Sequence, residues 1–170
     1  MLEKLSNIDF TKKYIFALSL IALLSMLAYF NLSTLIHKQG QDSSLINMSG
    51  KQRMLSQKIA LFSIYYKTKE LGEHIALMKE AHTFLVSQKM STELHDLYYS
   101  KPVELDKEVK NYIAHANQFF ENRNGKSLSY ILENSQIILP HLDLAVSQYQ
   151  KDAENRTKKL SNVEFYIFVL

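Results

Sequence analysis

The stretch most suited to chemistry is residues 46–59, INMSGKQRMLSQKI, which places one arginine among amides, hydroxyls and apolar side chains. Arg53 shares a helical stripe with Ser49 and Ser56, because residues three and four apart are neighbours on a helix. Gly50 costs about 1 kcal/mol relative to alanine inside a helix, and it lets a second backbone or a ligand approach closely. We interpret five residues as a candidate ligand-binding site: Arg53, Gly50, Asn47, Ser49 and Gln52.

The charge on Arg53 has two interpretations. A guanidinium taken out of water is costly unless it is paired. Arg53 therefore pairs either with a protein group, which is a carboxylate of the second or fourth helix or a group of a partner chain, or with an anion from solution. In a homodimer whose twofold axis lies near the first helix, two copies of Arg53 would repel each other until an anion bound between them. Two planar guanidiniums suit a small planar oxyanion. The residues alone leave both interpretations open.

An uncharged apolar segment precedes this stretch. Residues 14–36, YIFALSLIALLSMLAYFNLSTLI, are long enough to cross a membrane, which takes about 20 apolar residues in a helix. The core of a cleaved signal peptide is shorter, about 7–15 residues, and no clear cleavage site follows the segment. We therefore predict an uncleaved transmembrane helix. Lys12 and Lys13 should keep residues 1–13 in the cytoplasm, which places the following domain outside, in the periplasm of a Gram-negative cell.

A second apolar run begins at 163 and continues to 170. Eight residues are too few to cross a bilayer, so we interpret 163–170 as the start of a second membrane helix. Residues 37–162 then form an extramembrane domain between two membrane segments, and an output module would lie beyond Leu170.

The domain is predicted to be all-α, because its breakers are few and its apolar residues recur at helical spacing. The third helix has the clearest apolar face, made of Leu105, Val109, Tyr112, Ala116 and Phe119. Pro140 should kink or split the fourth helix. Together the helices predict an antiparallel four-helix bundle continuous with the flanking membrane helices. The expected helices are 41–69, 73–97, 103–121 and one from 127 onward, with a break at Leu71-Gly72 and turns at 98–102 and 122–125, the last ending in a left-handed cap at Gly125.

Several functions find no support in the composition. The chain has no cysteine, so a disulfide or a thiolate site is excluded. Its net charge of +3 comes from interleaved charges rather than a basic stripe, which does not favour nucleic-acid binding. None of the six histidines forms an i, i+4 pair; His74 and His82 could share a face, but such a pair is more typical of structure than of a metal site. We expect no cofactor, no metal and no enzymatic activity.

Residues 46–59 resemble the opening motif of the PilJ-type sensor domain, the N-terminal domain of type IV pili methyl-accepting chemotaxis transducers. The motif reads Ile-Asn-x-x-Gly-x-Gln-Arg-Met-Leu-Ser-Gln-x-Ile in this chain. A weaker pattern from Leu142 to Arg156 is similar to the last helix of that family. The resemblance implies a periplasmic four-helix bundle, a homodimer, and signalling across the inner membrane of a bacterium.

The motif is also similar to the P-box of the related nitrate/nitrite sensor kinases. That resemblance implies that Arg53, one from each subunit, holds nitrate at the dimer axis, with Gly50 and Asn47 shaping the site. Two positions differ: Met48 stands where those kinases have lysine, and Ser49 stands where they have alanine. The first difference removes one positive charge per subunit.

We therefore expect a sensor that binds a small oxyanion such as nitrate or nitrite between the first helices of two subunits. The alternative is a structural or interaction module that contacts a pilin or another membrane or periplasmic protein. Loss of binding to one anion after Arg53→Ala would favour the sensor. Loss of a protein partner after changes at 65–73 or 122–125 would favour the interaction module.

Overall fold

A computed structural model describes the backbone at residues 2–169 and the side chains at residues 10–159. Within that range the chain is all-α, as predicted, and contains no strand. Five helices follow one another: α1 (Leu2–Ile64), α2 (Thr68–Ser87), α3 (Thr92–Tyr99), α4 (Leu105–Asn122) and α5 (Gly125–Val169). The predicted start of a second membrane helix at 163–170 has a helical backbone as far as Val169, but its side chains lie outside the described residues.

The chain divides into two units, residues 1–40 and 41–170. In the first unit almost all large apolar side chains of the predicted membrane segment are exposed, including Phe16 at 71% and Tyr29 at 68%. The one described helix that is long and apolar enough to cross a membrane contains this segment. Within this segment the Thr34 hydroxyl donates to the Phe30 carbonyl at 2.9 Å.

The second unit is a helical bundle with one continuous apolar core. α4 lies at its centre and packs on α2, α3 and α5, and α3 also packs on α5. The predicted apolar face of α4 is confirmed, because each of its five residues is at most 1% exposed. Leu55 and Ile59 bring α1 into the same core. The Tyr112 hydroxyl ties α4 to α1 by donating to the Ser56 carbonyl at 2.8 Å.

The break after α1 lies at residues 65–67, so the prediction of a break at Leu71-Gly72 is wrong. Tyr66 adopts a left-handed conformation, with φ 53°, and the Lys67 amide donates back to the Phe62 carbonyl at 3.0 Å. This is a Schellman-type helix end with tyrosine in the usual glycine position. Gly72 stays inside α2, where a Cβ would lie 3.0 Å from the Phe120 ring. Its role is close helix packing rather than termination.

The predicted helix at 73–97 is two helices, α2 and the short α3. α2 ends at Ser87, and Ser91 caps a separate α3 by accepting a hydrogen bond from the Leu94 amide at 3.2 Å. The next turn lies at 100–104, slightly later than predicted, because Tyr98 and Tyr99 belong to α3. It contains a cis Lys101-Pro102 peptide bond.

One expectation about the last helix is wrong, and of the kink or split expected at Pro140 the split does not occur. The left-handed residue between α4 and α5 is Arg123, with φ 52°, whereas Gly125 is already the first residue of α5. α5 is not split at Pro140, which lies inside it. Both Pro140 and Gln136, whose carbonyl loses its helical donor at the proline, are exposed. Water can therefore satisfy that carbonyl, and the helix continues.

Candidate functional site

The predicted ligand-binding residues lie on two different faces of α1. Ser49 and Gln52 are fully buried in the bundle. Asn47 and Arg53 are exposed, and Gly50 is half-buried between the two faces. The structure therefore divides these five residues into an outward set and an inward set.

On the outward face, Arg53 forms an ion pair with Asp143 of α5 through its Nε atom. The two side chains are 50% and 48% exposed, so water reaches both charges. A carboxylate of the last helix was one of the partners that the sequence left open for Arg53. An exposed ion pair contributes only about 0.2–1 kcal/mol. The guanidinium can therefore be transferred to a stronger partner at small cost.

The surface around Arg53 is open and flanked by apolar side chains. Nothing lies within 4 Å of the position that a Cβ on Gly50 would take. Met54 and Leu61 on α1 are 44% and 46% exposed, and Leu144 on α5 is 54% exposed. We call this surface, where α1 and α5 meet around Arg53 and Asp143, the seam. In a single chain it has a polar centre, and the apolar side chains on either side of that centre are exposed.

The inward face of α1 contributes to a chain of hydrogen bonds that crosses three helices. Gln52 Nε2 lies 3.0 Å from His82 Nδ1, and His82 Nε2 lies 2.9 Å from Asp106 Oδ1. Asp106 also accepts a hydrogen bond from Lys110 Nζ at 2.8 Å. No local pattern in the sequence predicts this series of hydrogen bonds, because its residues lie on three different helices, α1, α2 and α4. His82 was considered there only for a metal site with His74.

Burial sets the protonation behaviour of this inward chain. His82 is 4% exposed, and its desolvation lowers the pKa of the imidazole, against the opposing effect of Asp106. Partial burial opposes ionisation of Asp106, but the hydrogen bonds from Lys110 and His82 outweigh it and lower the pKa of that carboxyl. Asp106 is therefore a carboxylate beside a neutral imidazole at neutral pH.

Several buried polar side-chain atoms of the bundle have no hydrogen-bond partner. Tyr98 stacks on His82, with ring centroids 6.3 Å apart. Burial, followed by the nearby Tyr149, raises the pKa of Tyr98 well above its usual range, and burial raises the pKa of Tyr149 to about 12. The hydroxyls are thus neutral. The unpartnered atoms are Ser49 Oγ, Gln52 Oε1, Tyr98 OH, Tyr149 OH and Asp152 Oδ2.

A separate open cleft of about 270 Å³ lies between the start of α4 and the middle of α5. Its lining includes Glu108, Asn134 and Tyr130. Glu108 is already bound by His141, whose Nδ1 lies 2.7 Å from its Oε2. The cleft is distant in sequence from the 46–59 motif, and sequence reasoning did not predict it.

The described side chains bring together no group of three or more His, Asp or Glu residues that could hold a metal ion. His74 Nδ1 lies 2.7 Å from the Glu70 carbonyl, and His82 is engaged by Gln52 and Asp106. The two histidines that the sequence placed on one face thus have separate structural partners.

The family model described as "Type IV pili methyl-accepting chemotaxis transducer N-term", named PilJ, matches residues 34–122, just over half of the chain. The chain belongs to this family, as the 46–59 motif predicted. Neither the curated proteins nor the solved structures contain a match.

Family membership gives the general role of the bundle. The matched domain is the sensory part of a chemotaxis transducer and is not a catalytic domain. The match contains the 46–59 motif, α2, α3 and α4 but does not reach the pattern at 142–156. The similarity of that last-helix pattern to the family therefore stays a prediction.

Proposed function

We propose that this domain senses a small oxyanion, nitrate or nitrite, which binds between the first helices of two copies of the chain. The observation that carries the proposal is Arg53, a half-exposed guanidinium beside the open surface of Gly50, with only an exposed ion pair to Asp143 holding it. An anion between two such arginines would form charge-assisted hydrogen bonds to both, each contributing about 1.5–3 kcal/mol.

The apolar flanks of Arg53 suit a second copy of the chain. Met54 and Leu61 are seven residues apart on α1, and Ile137 and Leu144 are seven residues apart on α5, and all four are exposed. Apolar residues at this spacing form the seam of paired helices. Twofold pairing along this seam would bury them and bring the two Arg53 side chains towards each other.

Within this arrangement the five predicted site residues have different roles. Arg53 binds the anion, the exposed Asn47 lies six residues earlier on α1, and Gly50 admits the second helix. Ser49 and Gln52 are buried, so they act by fixing α1 against the bundle rather than by touching the anion. Anion binding would favour one packing of the two α1 helices over another.

The signal would pass along α1, which contains both Arg53 and the apolar segment at 14–36. Lys12 and Lys13 favour a cytoplasmic start of the chain and a periplasmic bundle in the inner membrane of a bacterium. A shift of α1 against α5 would then carry information inward.

Binding is best measured by calorimetric titration of the full chain in nanodiscs against nitrate, nitrite and a panel of other anions. We expect one of these anions to bind, Arg53→Ala to abolish the binding, and Lys51→Ala to retain it. Lys51 is the matched control because it is a nearby cation on another face of α1. Equal binding by Arg53→Ala and the unchanged chain would contradict the proposal.

The dimer can be tested separately, because the chain has no native cysteine. Under mild oxidation Met54→Cys should yield a covalent dimer, whereas Glu80→Cys on the exposed side of α2 should stay monomeric. If both variants, or neither, crosslink, the α1 seam is not the interface.

The interaction module remains the second candidate, since Ile64, Tyr65 and Tyr66 at the end of α1 are 51%, 67% and 61% exposed. Exposed aromatic side chains are typical anchors of protein interfaces. Direct binding of a purified pilin that is lost in Tyr65→Ser but kept in Arg53→Ala would favour this candidate over the anion sensor.

A further inference from the structure

His82 is a buried titratable group that the proposed anion site does not use. Its ring is held at both nitrogens, by Gln52 from α1 and by Asp106 from α4. An ionised carboxylate can only accept, so the hydrogen on the ring lies on Nε2 and is donated to Asp106. In the neutral imidazole Nδ1 is then an acceptor and receives a hydrogen from Gln52 Nε2. The two partners thus fix both the tautomer and the charge of the ring.

The same hydrogen bond leaves the other end of the Gln52 amide unsatisfied. Gln52 Oε1 is buried and has no hydrogen-bond partner, which is an unfavourable position for an amide carbonyl. Turning the amide over would place Oε1 against His82 Nδ1. That contact is attractive only when Nδ1 carries a hydrogen, which means when His82 is an imidazolium.

One proton therefore separates two hydrogen-bonded arrangements of this network. In the neutral arrangement Gln52 donates to His82, and in the protonated arrangement it would accept from His82. In the second arrangement the amide nitrogen would face the side on which Oε1 is now unpaired.

The charges around the ring come from the helices packed against it. Gln52 of α1 and the stacked Tyr98 of α3 are neutral, whereas α4 presents Asp106, which favours the imidazolium, and Lys110, which opposes it. From α5, Tyr149 reaches the layer through Tyr98. Desolvation outweighs the attraction of Asp106, so the pKa of His82 is lowered from its usual value.

We propose that the Gln52–His82–Asp106 chain is a proton-binding site through which the domain senses acidity outside the membrane. Proton uptake by His82 would reverse its hydrogen bond with Gln52 and change how α1 is held against α2 and α4. Gln52 precedes Arg53 on the helix that contains the apolar segment, so the proton acts on the same element as the proposed anion. The proposal does not depend on anion binding.

The first test is an NMR titration of His82. The full chain is placed in nanodiscs, its histidines are labelled with ¹³C and ¹⁵N, and their signals are recorded as the pH is changed. His82 is assigned by the signal that disappears in His82→Gln. We expect its midpoint to lie below about 6.5, the ordinary value for a histidine side chain. Gln52→Glu should raise the midpoint of His82, because a carboxylate accepts from the protonated Nδ1. A midpoint at or above about 6.5, or no rise in Gln52→Glu, would overturn the proposal.

The second test measures whether protonation of His82 weakens the packing of α1 against α2 and α4. Hydrogen exchange of amides at 49–59 should accelerate below pH 6.5, after correction for the intrinsic rate, by at most about tenfold per pH unit for one proton. His82→Gln, which keeps a donor to Asp106 but does not titrate, should remove this acceleration, and His95→Gln should retain it. The same acceleration in His82→Gln would refute the coupling. If His82→Gln does not fold, Gln52→Glu serves instead, and its onset of acceleration must move to higher pH.

Discussion

Asp143 is the built-in competitor of the proposed anion, so Asp143→Asn should increase anion affinity. In the single chain the Arg53 guanidinium is bound to the Asp143 carboxylate, and an incoming oxyanion must displace or share that partner. The asparagine side chain keeps the size of aspartate but removes its charge. Arg53 is then released towards the seam, and a negative charge that repels the anion is lost.

The expected change in Kd follows from the solvent exposure of the Arg53–Asp143 ion pair. Because both side chains are about half exposed, the ion pair contributes about 0.2–1 kcal/mol per protomer. If two protomers share one anion, releasing both arginines contributes about 0.4–2 kcal/mol, which corresponds to roughly a 2- to 30-fold lower Kd. The stability of each bundle should fall by no more than about 1 kcal/mol for the same reason.

The assay is a calorimetric titration of the unchanged chain, Asp143→Asn, Arg53→Ala and the double variant, with the same anion and at the same ionic strength. Asp96→Asn is the control, since Asp96 is an exposed carboxylate on α3, 64% exposed. The double variant should bind no anion, like Arg53→Ala alone, because the gain from Asp143→Asn requires the Arg53 site to be present. Unchanged or weaker binding by Asp143→Asn would show that the competition argument is wrong, and weaker binding would show in addition that Asp143 helps to form the site.

Three further predictions concern the bundle. Gly72→Ala should lower the free energy of unfolding by about 1 kcal/mol, because the gain in helix propensity is outweighed by overpacking against Phe120. Thermal unfolding measures this change in stability. An increase in stability would show that the Phe120 ring moves freely. Tyr112→Phe should cost about 0.5–1.5 kcal/mol in urea unfolding through the lost hydrogen bond to Ser56, and an unchanged midpoint would contradict that contact. The pKa of His82 is lowered on folding, so its contribution to stability is full above about pH 6.5 and is lost as the pH falls below that value, by at most about 1.4 kcal/mol per unit. Urea midpoints between pH 7.5 and 5 should show this slope, and a slope that survives in His82→Gln would assign it to another group.

The local pattern of residues predicted the structure correctly wherever one physical requirement determined the residue types of a segment. The apolar segment at 14–36 could be recognised because crossing a bilayer requires uninterrupted apolar residues. The buried face of α4 could be read in full, since an amphipathic helix shows its core residues by their spacing. The motif at 46–59 also identified the family correctly. Its role as an anion site stays a prediction.

Local pattern failed where packing overrode the preference of a residue. Glycine favours helix ends, yet Gly72 lies inside α2 because the Phe120 ring occupies the space of a side chain. Tyrosine disfavours the left-handed conformation, yet Tyr66 ends α1, and its ring packs on Phe119 with centroids 5.9 Å apart. The cap at Ser91 was missed because α2 and α3 together resemble one amphipathic segment.

The sequence by itself determined the all-α class, the membrane-spanning composition and the family, because each depends on the order and spacing of residue types along one chain. The tertiary structure decided which side of α1 faces inward. It therefore decided that Gln52 meets His82 inside the bundle and that Arg53 meets Asp143 at its surface. These partners are 30 and 90 residues apart in the chain. Only the packing of separate helices brings them together, and no local pattern encodes that register.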